Sequence, residues 1–235
     1  MPEARTRPID PFAGDFRQWA TAQGPVSIPP PAPRRRTPSP QGSGTGEDAD
    51  TVARQLTSFH SYCNCRGDVD WNTCGQAAIA SITDYHGLNP YNLSRVGQYW
   101  DDGAAIDAII NGGFGPDVAF GWGTTGGRIR DALNSYGLNA SVGFTGLFSS
   151  GWQDQWQALN DYVSQNLPVP VLVDVGRLGG TWWTAHWPIA YRIEGGYVYL
   201  GNPIGSAMVD EATFLSAWHC WFLPYGFNHC GVYCY

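Results

Sequence analysis

Lysine is absent from this 235-residue chain, and all 13 of its basic residues are arginine. Acidic residues number 20, which leaves a net charge of −7. Binding to a phosphate backbone needs clustered cations. The one basic run, Arg34-Arg35-Arg36, lies in a Pro-rich stretch, so nucleic acid is excluded as the main partner. Long apolar runs are missing too. No stretch nears ~20 uninterrupted apolar residues, which excludes a membrane-inserted helix. Arg5 and Arg7 precede no apolar run of the kind a secretory signal needs. The expected compartment is therefore the cytoplasm, with signal-independent export left open. Charge of either sign is scarce, at 14% of residues, so Gly, Ser, Thr, Asn and aromatics must cover much of the surface.

Hydrophobic residues, by contrast, make up 43%, enough for one domain with a buried core. They are unevenly spread. Residues 24–40 are dense in Pro, and 41–50 form a polar Gly/Ser linker. Residues 1–50 therefore read as a disordered tail, and 51–235 as the folded domain. Within the tail, Phe12, Phe16 and Trp19 sit at helix-like spacing.

The spacing predicts helices over 74–86, with Gly87 just past the end, over 104–110 behind Asp101-Asp102, and over 128–136, ended by Gly137. A longer amphipathic helix follows over 152–166, with Trp152, Trp156, Leu159, Tyr162 and Val163 on one face. Strands are expected over 139–144, 169–175, 185–193 and 197–201, the last two joined at Glu194-Gly195-Gly196. A short helix over 210–218 has Asp210 as its cap. Helices first and an antiparallel sheet second is the α+β pattern.

Chemistry enters at Cys74, in Trp71-Asn72-Thr73-Cys74-Gly75-Gln76-Ala77-Ala78, where a polar loop turns into an apolar helix. Free N–H groups and the helix dipole at such an end favour a thiolate, the nucleophilic form. His186 follows in Ala185-His186-Trp187-Pro188, and Asn202 in Gly201-Asn202-Pro203. Cys, His, Asn is the chain order of a papain-type site, in which a base activates the thiol and a third group orients the base. With 194–196 as the hairpin loop, Pro188 lies opposite Asn202. His186 is then diagonal to Asn202 on the same face, at ~7–8 Å. A loop one residue shorter or longer moves Asn202 to the other face. Each residue alone also has a structural reading: a buried helix-start cysteine, a hydrogen-bonded sheet histidine, an asparagine serving a turn before proline. Only the ordered set favours catalysis.

The same residues carry a resemblance. Cys74-Gly75-Gln76-Ala77-Ala78 with Asp84-Tyr85-His86-Gly87 resembles the nucleophile helix of the C39-like cysteine peptidases. Gly123-Thr124-Thr125, Ala132-Leu133 and Tyr136-Gly137-Leu138 are similar to that family's middle helix and turn. His186 through Pro203 resembles its His strand and Asp/Asn-Pro strand, and Phe214-Leu215 with Ala217-Trp218 its closing pattern. The likeness spans about residues 58–222. It implies a papain-like cysteine peptidase fold, with the nucleophile helix packed on a C-terminal antiparallel sheet. It further implies a Cys74-His186-Asn202 triad and a peptide or protein substrate, with no cofactor. One position departs from the family: Asp68 stands where a Gln oxyanion donor is common, and an ionised carboxylate cannot donate. Asn72 has an amide but sits elsewhere, and the Cys74 N–H remains. Peptide or amide hydrolysis is therefore expected. Transglutaminase-like acyl transfer by the same triad, or an inactive peptide-binding module, are the alternatives.

The remaining cysteines form two groups, Cys63 with Cys65, and Cys220 with Cys230 and Cys234, near His60, His219 and His229. Their spacings match no standard zinc pair, so no metal is expected, and packed thiols or disulfides are the other readings. The strand after Trp218 is expected to return beside the segment preceding Cys74. Trp182-Trp183 are expected to line a cleft beside His186. Finally, a chain beginning at Thr51 should keep its melting temperature, because the tail cannot bury enough apolar surface to offset its ordering entropy. A calorimetric scan of the two forms checks this; a drop of many degrees would show that the tail docks.

Overall fold

The computed structural model describes residues 56, 58–63, 72–118, 123–145, 151–180, 184–202, 206–219 and 228–235. The tail, Cys65, Asp68, Trp182, Trp183, Pro203 and Cys220 lie outside them. The element order is α1 (Cys74–Tyr85), α2 (Asp102–Ile109), a π-helical turn (Ile110–Phe114), α3 (Gly126–Ser135), β1 (Ala140–Thr145) and α4 (Trp152–Ser164). Then come β2 (Val169–Pro170), β3 (Val173–Asp174), a 3-10 turn (Val175–Leu178), β4 (Ala185–His186), β5 (Ile189–Glu194), β6 (Tyr197–Gly201) and β7 (Met208–Asp210). The chain closes with α5 (Glu211–Trp218) and β8 (Asn228–Cys234). This is the α+β arrangement the sequence predicts.

Local chemistry sets the helix ends. Asp101 caps α2 by accepting from the Ala104 N–H at 2.9 Å, and Asp210 caps α5 by accepting from Thr213 at the same distance. α1 ends in a Schellman motif: the Gly87 N–H donates to Asp84 and the Leu88 N–H to Thr83, with Gly87 at φ +70°. α3 ends in the same way at Gly137. α3 begins two residues before its expected start because the Thr125 hydroxyl accepts from the Arg128 N–H. On α4, Gln155, Leu159, Tyr162 and Val163 are buried, while Trp152, expected inside, is 36% exposed at the helix's first turn.

Two strands expected to be continuous are broken. Residues 169–174 pair with 185–190 in one unshifted antiparallel register, Val169 facing Ala190 and Val173 facing His186. The ladder is interrupted between them at Pro188. Val171 donates to the Pro188 carbonyl at 2.9 Å, but proline has no N–H with which to answer. The break divides β2 from β3 and β4 from β5.

The loop before Cys74, which the C-terminal strand is expected to cover, lies outside the described residues. β8 pairs antiparallel with β1 and reaches the β2–β3 segment through Val171 and Gly231 and the Leu172 N–H to the Cys230 carbonyl. Every residue of β8 is buried. Cys230, Val232 and Cys234 join a core with α1, α2, α3 and Trp187, while Tyr233 points into a second core with α4, α5, β5 and β6. A strand apolar on both faces needs a layer on each side, which the sheet interior provides and a domain edge does not.

The two αL glycines give a stability test. Gly87 and Gly137 each have open space where a Cβ would go, so alanine meets strain in the backbone alone. Gly87→Ala and Gly137→Ala should each cost about 1 kcal/mol, lowering Tm by roughly 2–4 °C, with asparagine costing less. Thermal unfolding of the three forms measures it; no drop with alanine would contradict the motif.

Candidate active site

Cys74 is the first residue of α1 and is 6% exposed. The Thr73 side chain makes no capping bond, and the first helical bond runs from the Ala77 N–H to the Thr73 carbonyl. The N–H groups of the first turn are thus left for other partners. The backbone N–H groups of Trp187, Gly75 and Cys74 favour the thiolate form of the sulfur. Burial outweighs them and pushes the thiol above its ordinary range. The helix end alone predicts a depressed thiol; in this structure desolvation reverses the sign.

The Trp187 N–H beside the sulfur brings the His186 strand to the start of α1, since His186 is the residue before it. His186 lies in β4 and is 2% exposed. Its Nε2 is 2.7 Å from the main-chain carbonyl of Asn202. A carbonyl only accepts, so Nε2 carries the proton and Nδ1 holds the lone pair of the neutral ring. Burial pulls the imidazole below its ordinary value, and the bond to the carbonyl opposes that pull.

Asn202 reaches the ring by a register that the hairpin produces in two steps. The loop is Gly195-Gly196, one residue shorter than expected, with Glu194 facing Tyr197. Alone, that would shift Asn202 to the other face. A bulge at Tyr191 supplies the missing residue, and Ile189 then faces Gly201. The contact is made by main chain, however, where side chain is the expectation. The Asn202 N–H donates to the Ser61 hydroxyl at 2.7 Å, and its φ is +49°. Its amide Nδ2 is buried with no hydrogen-bond partner among the described residues.

A supporting network runs beneath these residues, and sequence reasoning gave it no role. Gln76 is fully buried; its Nε2 donates to the Phe114 carbonyl at 2.8 Å, and its Oε1 accepts from the Thr124 hydroxyl at 3.2 Å. The Thr124 carbonyl accepts from the Trp187 indole at 2.8 Å. Thr124 also presses on α1: a Cβ at Gly75 would lie 2.4 Å from the Thr124 Cβ, which explains glycine after the cysteine. The available signal was a polar Gln76 in an otherwise apolar helix start.

Of the other cysteines, Cys65 and Cys220 lie outside the described residues. Cys230 and Cys234 are free, buried thiols, each pushed up to about 12 by burial, and behave as core residues. Cys63 is held in a disulfide. His60 stacks on Tyr99, while His219 and His229 lie side by side with ring centroids 5.2 Å apart. Among the described residues, no group of three or more His, Cys, Asp or Glu is placed to hold a metal ion.

No protein-family model and no curated protein matches the sequence. Solved structures do. The peptidase domain of Streptococcus ComA, a bi-functional ABC transporter involved in a quorum sensing pathway, is 16% identical. That match covers 75% of this chain and 98% of that one, with a TM-score of 0.47. A double glycine motif protease from an AMS/PCAT transporter, solved in complex with the leader peptide, is 12% identical over 78% of this chain and 95% of that one, with a TM-score of 0.45. The chain is similar to both.

Proposed function

We propose that this protein hydrolyses a peptide or amide bond through Cys74 and His186. The observation that carries this reading is the approach of the His186 strand, through Trp187, to the start of α1. Cys74 stands at an uncapped helix start, the strand of His186 delivers the Trp187 N–H to it, and the ring of His186 is fixed with Nδ1 unprotonated.

The chemistry follows from the protonation states. In the resting site the thiol and the imidazole are both neutral. As the sulfur attacks the substrate carbonyl carbon, Nδ1 of His186 takes the thiol proton. The C=O electron pair moves onto oxygen, and the N–H groups at the start of α1 are the donors available to that oxyanion. Collapse of the intermediate expels the amine, which takes the proton back from the imidazolium. Water, deprotonated by the same ring, then hydrolyses the thioester. Asn202 keeps the ring oriented throughout. The substrate is a peptide or protein segment, and no cofactor takes part. For location, the disulfide at Cys63 favours an oxidising compartment over the cytoplasm expected from the sequence. No helix among the described residues is long and apolar enough to cross a membrane.

A mixture of synthetic peptides, read by mass spectrometry, tests the activity. Cys74→Ala should abolish cleavage, and His186→Ala should lower it by about 10²–10⁴. Adding a primary amine separates hydrolysis from acyl transfer: an acid product supports this reading, and an amide product replaces it with the transferase. Cleavage that survives Cys74→Ala would end both.

The neutral resting pair makes a second measurement decisive. The rate should rise with pH as His186 loses its proton, with a midpoint below the ordinary histidine value, and then hold level through neutrality. Iodoacetamide alkylation of Cys74 in the absence of substrate should stay slow at neutral pH and accelerate only above the ordinary thiol range. A fast alkylation phase already present at mildly acidic pH would show a thiolate–imidazolium pair instead.

A further inference from the structure

We infer that Asn202 positions the imidazole of His186 through its main-chain carbonyl, held in a left-handed turn that the Ser61 hydroxyl latches, and not through its side-chain amide. The inference rests on the reading of His186 as the base and names what holds it.

Four observations support it. The Nε2 to carbonyl distance of 2.7 Å is that of a good hydrogen bond. The peptide group on the other side of the same residue is equally committed, since the Asn202 N–H donates to Ser61 Oγ at 2.7 Å. The amide Nδ2, which a side-chain role would engage, has no partner among the described residues. The φ of +49° turns the carbonyl toward the ring, and asparagine is among the few non-glycine residues that adopt this region readily. Asparagine is thus explained by its backbone.

Ser61 does not act alone. It belongs to the segment 58–62, which lies directly on the end of β6: a Cβ at Gly201 would come 2.8 Å from Phe59 Cδ1 and 3.1 Å from Ser61 Cβ. Phe59 stacks on Tyr191, the bulge residue that sets the hairpin register, with centroids 5.7 Å apart. Tyr62 is bonded through its N–H to Ser81 Oγ on α1 at 2.9 Å. Segment 58–62 therefore ties three parts together: the nucleophile helix, the register-setting bulge and the turn that holds the base. Ser61 is a positioning residue that acts through Asn202.

The test compares Asn202→Gly, Asn202→Ala and Ser61→Ala in the full chain. Nitrogen-15 spectra of the His186 ring report its tautomer without needing turnover. Asn202→Gly retains the carbonyl and the left-handed turn, so the ring should remain protonated at Nε2. Its kcat should fall several-fold less than that of Asn202→Ala, which should lose roughly tenfold because a Cβ disfavours this φ. Ser61→Ala should lower kcat with KM unchanged. It should also move the acid midpoint of the pH–rate profile downward, because the carbonyl bond that raises the imidazole's proton affinity loosens. Mixed tautomers in Asn202→Gly, with kcat as low as in Asn202→Ala, would return the role to the side chain. A Ser61→Ala profile identical to that of the parent would remove the latch. If the parent chain cleaves nothing, the hydrolase reading fails, while the tautomer in Asn202→Gly still decides this inference.

Discussion

The placement of Trp187 governs the site. Its N–H faces the Cys74 sulfur, and its indole donates to the Thr124 carbonyl. Its ring packs where α3 begins, so close that a Cβ at Gly126 would sit 3.3 Å from it. It is 2% exposed, and truncating a buried aromatic of this size typically costs about 3–5 kcal/mol. Its neighbours in sequence are the candidate base, His186, and the ladder-breaking Pro188. One residue thus fixes how far the His strand stands from α1, and the strand break beside it ends the ladder where the site begins. Thr124 is the counterpart. It accepts from Trp187 and bonds Gln76, and Gly75 allows it to lie against the helix start.

Burial on this scale sets the electrostatics. An ion pair between Cys74 and His186 would place two charges in a site where both residues are less than a tenth exposed. Desolvating each charge costs several kcal/mol unless geometry repays it. The structure instead pushes the thiol up and the imidazole down, so the neutral forms lie lower. Three backbone N–H groups nevertheless favour the charged sulfur. They contribute little to a neutral thiol and more to an anion, so their stabilisation grows as negative charge develops. The same burial that holds the resting pair neutral strengthens these interactions when the charge moves.

Much of this architecture was legible because it is local chemistry. Asp210 as a cap, Gly87 and Gly137 as helix stops and a hairpin turning at Gly195-Gly196 depend on a few adjacent residues, and the structure has them, with the hairpin loop one residue shorter than expected. What sequence reasoning missed depends on partners far away in the chain. Pro188 was visible, but its effect needed an antiparallel neighbour, Val171, whose carbonyl it leaves unanswered. The Tyr191 bulge leaves no mark in composition, and Phe59, which stacks on it, is more than a hundred residues distant. The pairing of β8 with β1 was not legible, because apolar residues show that a strand needs cover without showing which layer supplies it. The expectation of a depressed thiol failed for a related reason: a helix start can be read from sequence, but the depth of its burial cannot.

Asn202 joins these levels. Read from sequence, an asparagine before proline serving a turn and an asparagine orienting a histidine are rival explanations. In the structure the turn is what aims the carbonyl. The φ of +49° turns it toward Nε2, the Ser61 hydroxyl takes the N–H, and the ring is left with its lone pair on Nδ1. A side-chain amide would have to be held by rotamer packing at a cost in conformational entropy, whereas a carbonyl fixed by the turn is already ordered when the chain folds. Turn propensity and imidazole orientation are therefore one constraint, and the register set by the Tyr191 bulge delivers it to His186.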